Sequence, residues 1–208
     1  MDSKKRQHIV ITGTGRAGTT FLVQILTHLG LDTGFTPDNM VIDKNARAGL
    51  EHDIRNNDVP YIVKSPWFCD YVGEVLNRED IDIEHIFIPI RDSKSAAASR
   101  YNVFKNTPFF KRIITKSAYI NGGTWGTKRK NKQEVILIQK LYDLLLSLSN
   151  TNIPVTLLKF PRIVNDSEYL FEKLKNILHD IEYHDFKLAF EKTARPDLVH
   201  SFNKNDSI

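Results

Sequence analysis

The residues with most chemical content are crowded into one turn. Gly13-Thr14-Gly15-Arg16-Ala17-Gly18-Thr19-Thr20 combines three glycines, the hydroxyls of Thr19 and Thr20, and one arginine. Glycines let a backbone bend sharply and approach a ligand closely. Where such a turn opens a helix, backbone N–H groups converge and the helix dipole adds positive charge. The result is an anion site suited to phosphate or sulfate. A second cationic element is Arg91-Asp92, with Ser99 eight residues beyond Arg91 in the run Ala96-Ala97-Ala98-Ser99-Arg100. Arginine presents a fork of donors to a dianionic phosphate, and a hydroxyl adds a neutral donor. Lys64, at the end of Tyr61-Ile62-Val63-Lys64, is a third cation at the end of an apolar run.

The elements that must hold these groups follow from hydrophobic patterning. His8 to Thr12 is a β-branched run that predicts a buried strand, and Thr19 to Leu29 has apolar residues at helical spacing, closed by Gly30. Tyr61–Lys64 and His85–Ile90 predict two further strands, with Pro89 an irregularity in the second. Pro154 to Phe160 predicts a fourth. Helices are expected over Phe68–Leu76, Ser93–Phe104, Gln133–Leu148 (Lys140 and Asp143 on its wet face) and Ser167–Leu178. Residues 31–58 read as a long loop with one short helix near Ala46–Arg55, and Asn121-Gly122-Gly123-Thr124 reads as a turn. Strands separated by helices imply an α/β domain with a mostly parallel central sheet covered on both faces. With no linker or repeat visible, residues 1–208 are expected to form one domain.

The glycine turn has three readings. Gly13, Gly15 and Gly18 satisfy the dinucleotide fingerprint G-x-G-x-x-G, but Leu31 to Pro37 supplies no second strand ending in an acid. Gly13, Gly18 and Thr20 fit the triphosphatase frame G-x-x-x-x-G-K-[ST], but Thr19 stands at the lysine, and the third strand delivers Arg91 before Asp92. The third reading moves the cation to Arg16 within the loop. On these residues the chain resembles the sulfotransferases that use 3′-phosphoadenosine 5′-phosphosulfate (PAPS), in particular small bacterial sulfotransferase-like proteins. Their 5′-phosphosulfate loop, Lys/Arg-Ser-Gly-Thr-Thr, is similar to Arg16-Ala17-Gly18-Thr19-Thr20, with Ala17 for Ser. Their 3′-phosphate element, Arg-Asp after a strand and a Ser eight residues past the Arg, is matched by Arg91, Asp92 and Ser99. Val63-Lys64-Ser65-Pro66 is similar to the family's Lys-Thr/Asp-Pro. Asn45-Ala46-Arg47-Ala48-Gly49-Leu50-Glu51 resembles Asn-Pro-x-Gly-Tyr-Phe-Glu, and Val155–Phe160 with Asn165-Asp166-Ser167-Glu168 resembles the last strand and its helix.

The resemblance spans roughly residues 8 to 178 and implies a P-loop-like three-layer domain. It also implies sulfuryl transfer from PAPS, a co-substrate, to a hydroxyl or amine acceptor by in-line displacement, with no metal. Gly15, Arg16, Ala17, Gly18, Thr19 and Thr20 would hold the 5′-phosphosulfate, and Arg91 and Ser99 the 3′-phosphate. Arg16 and Lys64 would neutralise charge at the transferring group. The acceptor's proton needs a base, for which the candidates are Asp38, Glu51, His52 and Asp53; Glu51 falls on the acidic position of the Gly-Tyr-Phe-Glu-like stretch. If that stretch is helical, Glu51 and His52 diverge by about 100° and do not both face the site. Departures are Pro66 where cytosolic members have a histidine, and no C-terminal Arg-Lys-Gly loop, for which Lys128-Arg129-Lys130-Asn131-Lys132 is a possible substitute. Trp125 is a candidate to stack on adenine, packing beneath a loop being its plainer role. The alternatives in function are a P-loop nucleotide kinase or triphosphatase and a non-catalytic nucleotide-binding protein.

Composition sets the outer bounds. Lys and Arg number 29 against 25 Asp and Glu, a net charge of +4, too mild to imply nucleic-acid binding. The one cysteine, Cys69, excludes an internal disulfide and reads as a packed small hydrophobe, and the seven histidines show no metal-ligand spacing. Met1 to Gln7 is polar with no signal-peptide pattern, and no apolar run approaches the ~20 residues of a membrane span. The expected partners are PAPS, its product 3′,5′-diphosphoadenosine (PAP) and an unidentified acceptor, and the expected compartment is the cytoplasm. Residues 31–58 and 105–132, expected to meet the acceptor, carry no readable pattern.

Overall fold

A computed structural model describes residues 5–43, 46–108 and 122–199. Asn45 and Asn121, and much of the segment expected to meet an acceptor (residues 109–121), lie outside the described residues. Strands β1 (Arg6–Ile11), β2 (Ile62–Lys64), β3 (Ile81–Ile90) and β4 (Val155–Lys159) form one all-parallel sheet in the order β2-β1-β3-β4. Around them run helices α1 (Thr19–His28), α2 (Phe68–Leu76), α3 (Ser93–Asn106), α4 (Lys130–Ser149), α5 (Arg162–Asn165), α6 (Ser167–Leu178) and α7 (Tyr183–Thr193).

The three layers follow from alternation along the central strands. Ile9, Ile11 and Phe87 point to one face, where they bury against α1, α6 and α7 in a cluster that includes Leu22, Leu26, Leu174 and Phe186. Val10, Ile86 and Ile88 point to the other, against Phe68 and Val72 of α2 and Leu144 and Leu148 of α4. Parallel strands buried on both faces read as near-continuous apolar runs, which is why His8–Thr12 and His85–Ile90 were legible.

Pro89 sits inside central strand β3 without breaking the sheet. The N–H of Ile86 donates to Pro154 O on the β4 side, so alternate residues, Pro89 included, turn their nitrogen toward β1. β1 has already ended there: its last bond to β3 is Thr12 N–H to Phe87 O. The missing proline donor therefore costs no ladder bond.

Three expectations need correction. β3 begins at Ile81, four residues before the sequence pattern became clear, because Asp82 and Glu84 are exposed where the strand runs past the layer edge. No helix forms over Ala46–Arg55. Arg47, Gly49 and Leu50 have φ of 47°, 145° and 66°, none of which a right-handed helix allows, and the chain instead runs beside β2 with His52 N–H donating to Lys64 O at 3.0 Å. Helix α7, which the sequence reading omitted, lies against α1 and α6.

Candidate functional site

All four strands point their C-terminal ends at one side of the sheet, and there the β1–α1 turn, the ends of β2, β3 and β4, and Ile42, Asp43, Arg47, Ala48 and Glu51 line a cavity of about 480 Å³. Ligands of open parallel sheets bind at this end of the strands. Gly15, Arg16, Gly18, Thr19, Thr20, Glu51, Lys64, Arg91 and Ser99 all line it. Of the residues expected to bind the nucleotide, Ala17 is fully buried and does not line the cavity.

The turn is held in a shape few residues tolerate. Gly15 has φ 68°, and a Cβ there would lie 2.7 Å from Arg100 Nη2. Gly18, at φ 89°, is the N-cap of α1, and its first turn has no side-chain cap, which leaves backbone N–H groups directed at the cavity. Arg100, which the sequence reading passed over, is the brace. It is 4% exposed, donates through Nε at 2.9 Å and through Nη2 to Thr14 O and through Nη1 to Gly123 O at 2.6 Å, and stacks on Trp125. Burial and the neighbouring Arg16 push its pKa down to about 9. Trp125 is buried against Arg100, with Nε1 donating to Asp70, and it also lines the cavity.

Arg16 is the cation inside the loop. Its backbone has φ 57°, Nε donates to Ser99 Oγ at 3.1 Å and Nη1 donates to Ala46 O. Burial, then repulsion by Arg91 and Arg47, lowers its pKa to about 10. Arg91, half-buried at the end of β3, donates to Arg16 O at 3.3 Å and lies 4.9 Å above the Phe160 ring. Two segments 83 residues apart in sequence thus meet at Arg16 and Ser99. Clustered, desolvated guanidinium groups repel one another, and a multivalent anion would relieve that repulsion.

Lys64 is 1% exposed. Its Nζ donates to Thr20 Oγ1 at 2.9 Å, Gly49 O at 2.5 Å and Glu51 Oε1 at 2.8 Å. Burial lowers its pKa, opposed by the Glu51 charge. Glu51 Oε1 also accepts from Gly49 N–H at 3.1 Å, so the unexpected positive φ of Gly49 brings both groups together. Of the four candidate bases, Glu51 alone lines this cavity. His52 turns the other way and packs 4.9 Å from Phe35, Asp53 is bound by Arg55, and Asp38 is exposed on the loop.

A second, more open groove of about 550 Å³ lies alongside, lined by Glu51, His52, Asp53, Arg55, Ser65, Trp67, Asp70 and Tyr71. The two cavities share Glu51 and Trp67. Residues 128–132 are exposed and line neither, so they do not stand in for a phosphate-binding loop in this arrangement. The sequence reading also missed Phe160, Thr193 and Arg195, which wall the first cavity. Phe160 was visible only as the end of an apolar strand; Thr193 and Arg195 belong to the omitted α7 region. No family model matches the chain, and no curated protein matches it in sequence.

Proposed function

We propose that the protein is a PAPS-dependent sulfotransferase with a P-loop-like nucleotide site. The observation that carries this reading is the convergence of Arg16, Arg91, Ser99, Lys64 and Glu51 on one cavity at the helix-opening glycine turn. The turn and the N-terminus of α1 would take the 5′-phosphosulfate, and Arg91 with Ser99 the 3′-phosphate. Phe160, already beneath the Arg91 guanidinium, offers a ring face beside them. Thr19 at the lysine position of the triphosphatase frame counts against a nucleoside triphosphate.

The acceptor would approach along the second groove and present its nucleophile where the two cavities meet, at Glu51. Glu51 takes the proton from the acceptor hydroxyl or amine as that atom bonds to sulfur and the bond from sulfur to the 5′-phosphate oxygen breaks. Lys64 and Arg16 offset the charge on the sulfuryl oxygens and on the departing phosphate, and the products are the sulfated acceptor and PAP. The proton then leaves Glu51 for solvent. The groove's acids are each paired, Glu51 with Lys64, Asp53 with Arg55 and Asp70 with Lys140, a balance that suits an uncharged acceptor. The reading is tested by thermal shift with PAP, ATP with magnesium, GTP and NAD. Stabilisation by PAP alone supports it; stabilisation by ATP only with magnesium would return the triphosphatase reading.

A further inference from the structure

Among the described residues, the cations that line the nucleotide cavity are Arg16, Arg47, Lys64, Arg91, Arg100 and Arg195. All but Arg47 have partners there. Lys64 is paired with Glu51 and Arg195 with Asp197. Arg100 holds Thr14 O and Gly123 O, Arg16 reaches Ser99 and Ala46 O, and Arg91 donates to Arg16 O. Arg47 is exposed, and its guanidinium makes no hydrogen bond and no ion pair among the described residues. Its backbone stands at φ 47°, a region where arginine is strained and asparagine or glycine is not. Strained residues gather at ligand sites, where the strain serves an external contact. The resemblance in sequence gives Arg47 no role.

The surroundings fix where that guanidinium stands. Arg47 N–H donates to Asp43 O at 2.6 Å, and Ala46 N–H donates to Asp43 Oδ1 at 2.6 Å. Ala46 O accepts from Arg16 Nη1, which ties this stretch to the glycine turn. On its other side it packs against Gly122: a Cβ there would lie 3.1 Å from Ala46 Cβ and 3.3 Å from Ala48 Cβ. The electrostatics agree with this placement. After burial, the charges of Arg91 and Arg47 lower the Arg16 pKa, and Arg195, with a smaller part from Arg47, holds the Asp197 carboxyl below its usual range. The charges acting on Lys64 are those of Glu51 and Arg16. Arg47 therefore belongs to the end of the cavity where Arg16, Arg91 and Ser99 meet, not to the Lys64–Glu51 end.

We propose that Arg47 is a further nucleotide-binding residue, whose guanidinium holds the 3′-phosphate together with Arg91 and Ser99. The inference rests on the PAPS reading above. A dianionic phosphate offsets the repulsion among neighbouring guanidinium groups, and Arg47 can turn to it without breaking any bond of its own among the described residues.

Isothermal titration of the wild type, Arg47→Asn and Arg47→Lys with PAP and with adenosine 5′-monophosphate tests this. Asparagine tolerates the left-handed backbone, so Arg47→Asn removes the cation and keeps the local chain path. It is expected to weaken PAP about 10-fold, the low end for a charged hydrogen bond because the contact lies at an exposed rim. Adenosine 5′-monophosphate should stay within about twofold, which also shows that the site is still folded. Arg47→Lys keeps the charge without the fork and should recover part of the loss. Added salt should weaken PAP more steeply in the wild type than in Arg47→Asn. Unchanged PAP affinity in Arg47→Asn, or equal weakening of both nucleotides, would overturn the assignment of Arg47 and leave the PAPS reading standing. A wild type that binds adenosine 5′-monophosphate as tightly as PAP would overturn that reading, and this inference with it.

Discussion

Lys64 carries its charge in a place where charge is costly, and it does so through three acceptors: Thr20 Oγ1, Gly49 O and Glu51 Oε1. A buried lysine serving structure alone would be replaceable by a packed apolar residue at little cost. One facing a transferring group would not be. Glu51→Gln is expected to cut turnover at least ~100-fold while PAP affinity stays within about twofold, since a positioned base acts in the transition state rather than on the nucleotide. Near-full turnover in Glu51→Gln with an identified acceptor would remove Glu51 from the role. Arg91 makes the complementary case. Its removal should weaken PAP by about 10- to 150-fold, the equivalent of a charged hydrogen bond of roughly 1.5–3 kcal/mol, and leave adenosine 5′-monophosphate nearly unchanged. Isothermal titration of Arg91→Ala with both nucleotides reads this, and equal weakening of the two would show that Arg91 does not discriminate the 3′-phosphate.

The β1–α1 turn depends on a close approach at Gly15. A methyl there meets Arg100 Nη2, and Arg100 cannot yield because its guanidinium braces Thr14 and Gly123. Adding the left-handed backbone, Gly15→Ala should cost at least about 1–2 kcal/mol and abolish most PAP affinity, whereas Gly73→Ala, with open space at its Cβ, should do neither. Urea denaturation and PAP titration of both variants compare the two positions. The segment beside β2 is expected to confer acid sensitivity. Burial lowers the pKa of His52, and of His8 and His85 on the sheet, below 6.5. The unfolded chain therefore takes up protons first. Stability is full above pH ~6.5 and falls as pH drops through the lowered values. His52→Phe keeps the ring against Phe35 and should flatten the fall in Tm between about pH 7 and about pH 5; an unchanged slope would show that His52 does not contribute. These elements also show what a sequence makes legible. β1, α1, α2 and α6 declared themselves because buried parallel strands and amphipathic helices have fixed periods. The path of residues 46–52 did not, because it is set by three positive-φ residues and a backbone bond to β2, neither of which leaves a periodic trace. The cations Arg16, Lys64 and Arg91 were legible from their positions at element ends; Arg100 as a brace and Phe160 as a wall were not, since each acts through contacts distant in sequence.

At the scale of the molecule, one sheet edge gathers groups from all four strands' ends into a single basic cavity, and Glu51 stands between it and the groove beside it, whose Asp53 and Asp70 are paired with Arg55 and Lys140. In the proposed reaction the cations of the cavity would hold the charged 3′- and 5′-groups of the nucleotide, and the groove with its paired acids would take an uncharged acceptor. A ligand bound at about 100 times its dissociation constant adds roughly 2.7 kcal/mol of stability, which for a chain of this size raises Tm by about 5–10 °C. The central claim, that the cavity reads a 3′-phosphate beside a 5′-phosphosulfate, is tested most directly by titrating the wild-type protein with PAP and with adenosine 5′-monophosphate in one buffer. The account expects PAP to bind at least about 10-fold more tightly. Equal affinity for the two nucleotides, or no binding of PAP, would contradict it.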